Sequence, residues 1–218
     1  MPYQSNLRAT KDMGFSFDKI QRWQSSAVST SSVFTVTQYC ISKRPYTVDD
    51  ALAALEKPSI WTSDPATQAY STINFVDNSE WTHNFKATGV KWPATIRDGA
   101  KAEYFVCTVT ATLDIPEAGE WTFACGSDDG FRCVLTDEDG ETYSFEYFRD
   151  RAYATSLETF NFAKAGTYTL DLVYFEYGDA SGLDLSCAKG AFGSFSKSRF
   201  KLLGTPESGI TLVGGENK

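Results

Sequence analysis

Leu113-Asp114-Ile115-Pro116-Glu117-Ala118-Gly119-Glu120-Trp121-Thr122-Phe123-Ala124-Cys125-Gly126-Ser127-Asp128-Asp129-Gly130-Phe131-Arg132 reads as the end of one strand, a whole second strand and the start of a third. Pro116-Glu117-Ala118-Gly119 marks a first turn, because proline restricts φ and glycine reaches values closed to other residues. Ser127-Asp128-Asp129-Gly130 marks the next: aspartate side chains bond their own backbone, and Gly130 is expected to supply a positive φ. Between the turns Trp121, Phe123 and Cys125 recur at every second position, the period of a strand with one buried face.

The pattern extends in both directions. In Phe105-Val106-Cys107-Thr108-Val109-Thr110-Ala111-Thr112-Leu113 the odd positions are apolar and the even ones mostly threonine. Strands are predicted over 102–115, 120–124, 131–136, 141–147, 156–162, 167–177 and 182–187. Asp137-Glu138-Asp139-Gly140 and Lys164-Ala165-Gly166 join the two turns above as connections of the type that links antiparallel neighbours. Shorter strands are expected at 33–41, 73–76 and 81–85, with a terminal pair at 200–203 and 210–213. Residues 90–96 hold Trp92-Pro93, which confines them to an edge strand or a loop. One helix is predicted over 48–56: Thr47 caps it, Asp49 and Asp50 occupy its positive first turn, Leu52 and Leu55 form its apolar stripe, and Pro58 stops it. Residues 1–31 are polar and Ser-rich and read as an arm or linker. The expected architecture is all-β, an antiparallel β-sandwich forming one domain over 32–218 with a short peripheral helix.

Composition agrees. Aromatic residues make up 15% of the 218 positions, with sixteen Phe and eleven Tyr against two Met, and such side chains suit a half-buried pleated surface. A formal net charge of −8 argues against a nucleic-acid partner, which needs clustered Lys and Arg. No stretch approaches the roughly 20 apolar residues of a membrane helix, so membrane insertion is not expected. Met1 to Thr10 shows no signal-peptide pattern. Cys107, Cys125, Cys133 and Cys187 share strand faces with apolar neighbours and are expected in the core; with Cys40 they make an odd number, so at least one thiol is free. A disulfide between neighbouring strands stays open. With no C-x-x-C and a single histidine, His83, a zinc site has little to build on. The absence of G-x-S-x-G and H-E-x-x-H, and of any nucleophile pattern around His83, points away from an enzyme.

The run from Leu113 to Arg132 resembles the signature of the protective-antigen-type family, named after the N-terminal domain of anthrax protective antigen and related to the GLEYA and flocculin adhesin domains of yeast. Ala165-Gly166-Thr167-Tyr168 and Val173-Tyr174-Phe175-Glu176-Tyr177-Gly178-Asp179-Ala180-Ser181-Gly182-Leu183 match its later hallmarks. The resemblance covers about 102–189, and it departs from the family at the acidic 137–140 turn and over 143–151. It implies a β-sandwich module of extracellular or cell-surface proteins. In the yeast adhesins two adjacent aspartates hold a calcium ion that touches sugar hydroxyls; the matching residues are Asp128 and Asp129, with Gly178, Asp179 and Ser181 offering further oxygens. The alternative role for Asp128-Asp129 is the stabilisation of the turn itself. Trp121 has core parity, whereas Trp92, in a loop, is the candidate exposed platform for a ligand. Two functions follow as expectations: a non-catalytic surface module binding a glycan or surface polymer, calcium-assisted, or a structural subunit of a surface layer, filament or larger surface protein that pairs with copies of itself.

Overall fold

A computed structural model of the chain describes residues 33–76, 83–94 and 103–214. The arm predicted over 1–31 lies outside the described residues, as do the first two residues of the strand expected at 81–85 and all of 95–102. Twelve strands are present among the described residues: β1 (Phe34–Cys40), β2 (Ala66–Tyr70), β3 (Asn74–Val76), β4 (Phe105–Ile115), β5 (Gly119–Asp128), β6 (Phe131–Asp137), β7 (Thr142–Tyr147), β8 (Ala154–Phe162), β9 (Gly166–Glu176), β10 (Gly182–Lys189), β11 (Lys201–Leu202) and β12 (Thr211–Leu212). They form a seven-stranded sheet in the order β2-β1-β4-β9-β6-β7, with β12 added to β4, and a five-stranded sheet in the order β11-β10-β5-β8, with β3 added to β10. Every paired strand in both sheets is antiparallel. The all-β sandwich expected from the sequence is what forms.

Alternation decides what faces inward. Phe105, Cys107, Val109 and Leu113 of β4, Phe131, Cys133 and Leu135 of β6, and Leu170, Leu172 and Tyr174 of β9 meet Trp121, Phe123 and Cys125 of β5 and Leu183, Leu185 and Cys187 of β10 in one buried cluster. At roughly 25 cal/mol per Å² of apolar surface removed from water, these aromatic and aliphatic rows are the main favourable contribution to folding. All five cysteines are free thiols; Cys107, Cys125, Cys133 and Cys187 are buried, as their parity predicted, and Cys40 is half-buried.

The turns behave differently from the sequence expectation. Only the 137–140 turn closes a hairpin, joining β6 to β7 within one sheet. The other three, at 116–119, 127–130 and 164–166, carry the chain from one sheet to the other. Local turn chemistry is the same for a hairpin and a crossing, so sequence could not separate them. The terminal strands are likewise not a pair: β11 joins β10 and β12 joins β4. β2 was not predicted, and residues 83–85 precede a short 3-10 helix (Lys86–Thr88) rather than forming a strand.

The helix α1 (Val48–Leu55) begins where the Thr47 hydroxyl accepts from the Asp50 N–H at 3.1 Å. Its buried face is Val48, Ala51, Ala54 and Leu55, with Leu52 only partly covered. That face packs outside the larger sheet on Val106, Val173 and Phe175, so the helix is peripheral to the sandwich. Burial pushes the Cys107, Cys125, Cys133 and Cys187 thiols well up, which suppresses the reactive thiolate. A thiol reagent should therefore label Cys40 alone in the native protein within minutes and all five cysteines after denaturation; labelling of two or more in the native state, counted by mass, would contradict this packing.

Candidate functional site

Asp128 ends β5 and Gly130 precedes β6, so the Asp128-Asp129 turn sits at one end of the sandwich where the chain leaves the smaller sheet for the larger. The Asp128–Asp129 peptide bond is cis. Gly130 is not at positive φ, contrary to the sequence expectation. Its role is space: a Cβ there would lie 2.7 Å from the carbonyl oxygens of both Tyr147 and Arg149. Only glycine lets the turn close against that neighbouring segment.

Backbone amides hold the carboxylates. Asp129 Oδ1 accepts from the Arg151 N–H at 2.8 Å and its Oδ2 from the Tyr177 N–H at 2.6 Å. Asp128 Oδ2 accepts from the Tyr153 N–H at 3.1 Å. A third carboxylate joins them: Glu176, the last residue of β9, accepts from the Gly178 N–H at 2.8 Å, and its Oε2 lies 2.8 Å from the Tyr174 hydroxyl, which also bonds the backbone oxygen of Asp128. One oxygen from each of Asp128, Asp129 and Glu176 lies within 4.8 Å of the others. All three residues are buried, at 7%, 4% and 1% exposure.

Three carboxylates so placed would repel one another if all were ionised, and burial disfavours each charge in addition. Burial pushes Asp129 up to about 6 against the pull of its two amide partners. Glu176 is pushed up to about 10, first by burial and then by the neighbouring Asp129 charge. A divalent cation would offset both effects. Calcium takes oxygen ligands at roughly 2.3–2.6 Å, so oxygens on opposite sides of its shell stand about 5 Å apart, and the observed spread fits one such shell.

A second ring of polar contacts braces the turn. Arg151 Nη2 donates to Ser127 Oγ at 2.7 Å, Ser127 Oγ donates to the Asp129 carbonyl at 2.5 Å, and the guanidinium lies 4.1 Å over the Tyr147 ring. Tyr153, whose amide holds Asp128, anchors its hydroxyl on Asp184 Oδ2, while Asn84 bonds both partners. Burial pushes Asp184 up to about 7. His83 packs on the Tyr153 ring at 4.3 Å and against Gly182, where a Cβ would fall 2.0 Å from its Cε1.

The other residues singled out in the sequence take different places. Asp179 is exposed on the adjoining turn at φ 72, beside Gly178 at φ 146, and the third carboxylate of the cluster is Glu176. Ser181 Oγ accepts from Trp92 Nε1 at 2.8 Å. Trp92 is not the exposed platform expected of a loop residue. It stacks on Phe75 at 4.6 Å and on Tyr174 at 5.1 Å, and so forms a wall behind the hydroxyl that bonds Glu176. The exposed aromatic near the carboxylates is Tyr46, at 50%, edge-on to Tyr177. Glu176 had a signal that went unread: it continues the inward parity of Leu170, Leu172 and Tyr174, and a charged residue at an inward position needs a reason.

No family model matches the sequence, and no curated protein matches it. Solved structures do. The PA14 domain of the antifreeze protein MpAFP superposes with a TM-score of 0.58 over 89% of this chain and 98% of its own, at 14% identity. The PA14 sugar-binding domain from an RTX adhesin gives 0.54 over 81% and 96%, at 17% identity. The fold is that of PA14 domains. The epithelial adhesin 9 A domain of Candida glabrata, solved in complex with Galβ1-4GlcNAc, gives 0.51 over 86% and 92%, at 10% identity. At such identities the likeness is one of fold, and the PA14-like sandwich spans nearly all of those three domains.

The buried carboxylates leave a pH signature. With burial pushing Glu176 from its ordinary 4.5 up to about 10, the native state retains a proton that the unfolded chain has released. The associated stability is full at acid pH and is lost as pH rises through that window. In chelator, the melting temperature should fall between about pH 5 and pH 9, Glu176→Gln should flatten the decline, and at about pH 8 the variant should be more stable than wild type by on the order of 1–3 kcal/mol. An unchanged slope in the variant, followed by calorimetry, would place the titration elsewhere.

Proposed function

We propose that this chain is a non-catalytic, calcium-dependent glycan-binding module of an extracellular or cell-surface protein. The observation that carries the reading is the convergence of Asp128, Asp129 and Glu176 on one point at the end of the sandwich, each fixed by a backbone amide. Carboxylates preorganised in this way are costly without a cation and favourable with one, because no ligand rearrangement accompanies binding. A bound calcium keeps part of its shell for exchangeable oxygens, and vicinal sugar hydroxyls supply two at the spacing such a shell accepts. The fold adds support: one PA14 neighbour is described as sugar-binding, and the yeast adhesin holds a galactoside. Kinship with the protective-antigen-type family belongs to the same proposal.

His83, the sole histidine, is packed between Tyr153 and Gly182, an arrangement suited to holding the 83–94 loop rather than to proton transfer. No helix among the described residues is long and apolar enough to cross a membrane. The ligand-binding reading is preferred to the structural-subunit one because the carboxylate cluster lies within the described residues.

Calcium at 100 times its dissociation constant should stabilise the native state by about 2.7 kcal/mol. Asp129→Asn should remove that response while keeping the fold. On a glycan array the wild type should bind in calcium and not in chelator, with terminal galactosides as the first class to examine. An unchanged melting temperature in millimolar calcium would overturn the metal site. Array binding that persists in chelator would separate glycan recognition from calcium.

A further inference from the structure

Next to the carboxylate cluster lies a group of donors that the calcium reading does not use. Arg44 follows β1 in the loop that leads into α1, and its Nη1 and Nη2 donate to the hydroxyls of Tyr177 at 3.0 Å and Tyr104 at 2.8 Å. The guanidinium carbon stands 4.4 Å from the Tyr177 ring centre and 4.9 Å from that of Tyr104. Tyr46 lies edge-on to Tyr177 at 5.0 Å. The loop is pinned, since the Asp150 N–H donates to the Tyr46 carbonyl at 3.2 Å and the Val48 N–H to the Phe148 carbonyl at 2.9 Å. Arginine held between two tyrosine rings on a pinned loop is a fixed charge, not a solvated surface side chain.

The position matters as much as the geometry. A Cβ at Gly178 would lie 3.8 Å from Arg44 Nη2, and the Gly178 amide itself donates to Glu176. The Tyr177 amide donates to Asp129. Arg44 is thus one residue away from two of the three carboxylates. Yet among the described residues no carboxylate forms an ion pair with it, although Asp179 and Glu103 are its chain-level neighbours through Gly178 and Tyr104. Its partners are neutral phenols. Each phenol oxygen accepts from Arg44 and so keeps its own proton to donate, which leaves two O–H donors and the remaining guanidinium N–H donors gathered on one partly exposed spot.

Donors that surround a positive charge without a counter-charge are complementary to an oxyanion, and the planar guanidinium fork matches a carboxylate or sulfate bidentately. We propose that Arg44, Tyr104 and Tyr177 form an anion-reading subsite, so that the glycan taken at the carboxylate cluster bears an acidic group, a uronate or a sulfate, on or next to the ring that meets the cation. Tyr46 supplies the exposed ring against which that sugar lies. The subsite rests on the glycan-binding reading above and refines its ligand class.

The test is calorimetric titration, in millimolar calcium, of methyl galactoside, methyl galacturonide and methyl galactoside 6-sulfate into wild type, Arg44→Gln and Arg44→Lys. One acidic sugar or the other should bind wild type about tenfold or more tighter than the neutral one, which identifies the group read. Arg44→Gln should bring acidic and neutral sugars to within about twofold, leaving the neutral affinity and the calcium-induced rise in melting temperature in place. Arg44→Lys, which keeps the charge and loses the fork, should keep only part of the preference. Added salt should weaken the acidic sugar and spare the neutral one. Neutral binding with no acidic preference in wild type overturns the subsite alone, as does a preference that survives in Arg44→Gln. Binding of none of the three sugars overturns the glycan reading and the subsite together.

Discussion

Three carboxylates nearly removed from water, at the point where the chain passes from one sheet to the other, set the terms for this end of the molecule. An ionised carboxylate in a protein interior is tolerated only with donors or a cation to replace its hydration. Here the donors are the amides of Arg151, Tyr153, Tyr177 and Gly178. Backbone amides move only if the chain moves, so the segments at 149–153 and 176–178 must be held in place for the cluster to exist at all. Much of the surrounding packing can be understood as meeting that demand.

The bracing comes in layers. Tyr174 is wholly buried and reaches from the core to Glu176 and the Asp128 carbonyl. Trp92 backs it, so the aromatic core of the sandwich is continuous with the wall of the site. On the smaller sheet Tyr153 is tied through Asp184 and Asn84, which fixes the amide that holds Asp128. Gly126, Gly130 and Gly182 make the close approaches possible; a Cβ at Gly126 would fall 2.1 Å from the Tyr153 hydroxyl. These glycines serve contact distance rather than unusual φ, since none of the three is at positive φ.

The same arrangement explains why one side of the site is acidic and the other is not. The loop after β1 brings Arg44, the residues around Gly178 bring Tyr177, and Tyr104 precedes β4. Among the described residues, three segments far apart in sequence place a cation with no carboxylate partner beside a surplus of negative charge. Tyrosine is well suited to keep them apart, because it accepts from arginine while leaving its charge unspent.

Much of the fold was legible in the sequence. The two-residue period over 105–113, 121–125 and 170–174 and the capped segment at 48–55 have local causes, namely pleat geometry and the Thr47 oxygen. The helix and most of the strands lie close to the bounds expected of them, whereas β5 runs on to Asp128, four residues past the expected end; the buried cysteines follow from the same parity. The Asp128-Asp129 turn was also visible, through turn chemistry and family resemblance. Tertiary structure alone decided that this turn crosses between sheets, that Gly130 serves close approach, that Trp92 is packed into the wall, and that Glu176, Tyr153, Asp184 and Arg44 gather near it. The reason is physical: a strand's period and a helix cap depend on neighbours within a few residues, whereas a cluster of carboxylates and its donors depends on which strands pair, and pairing is set by the packing of the whole sandwich.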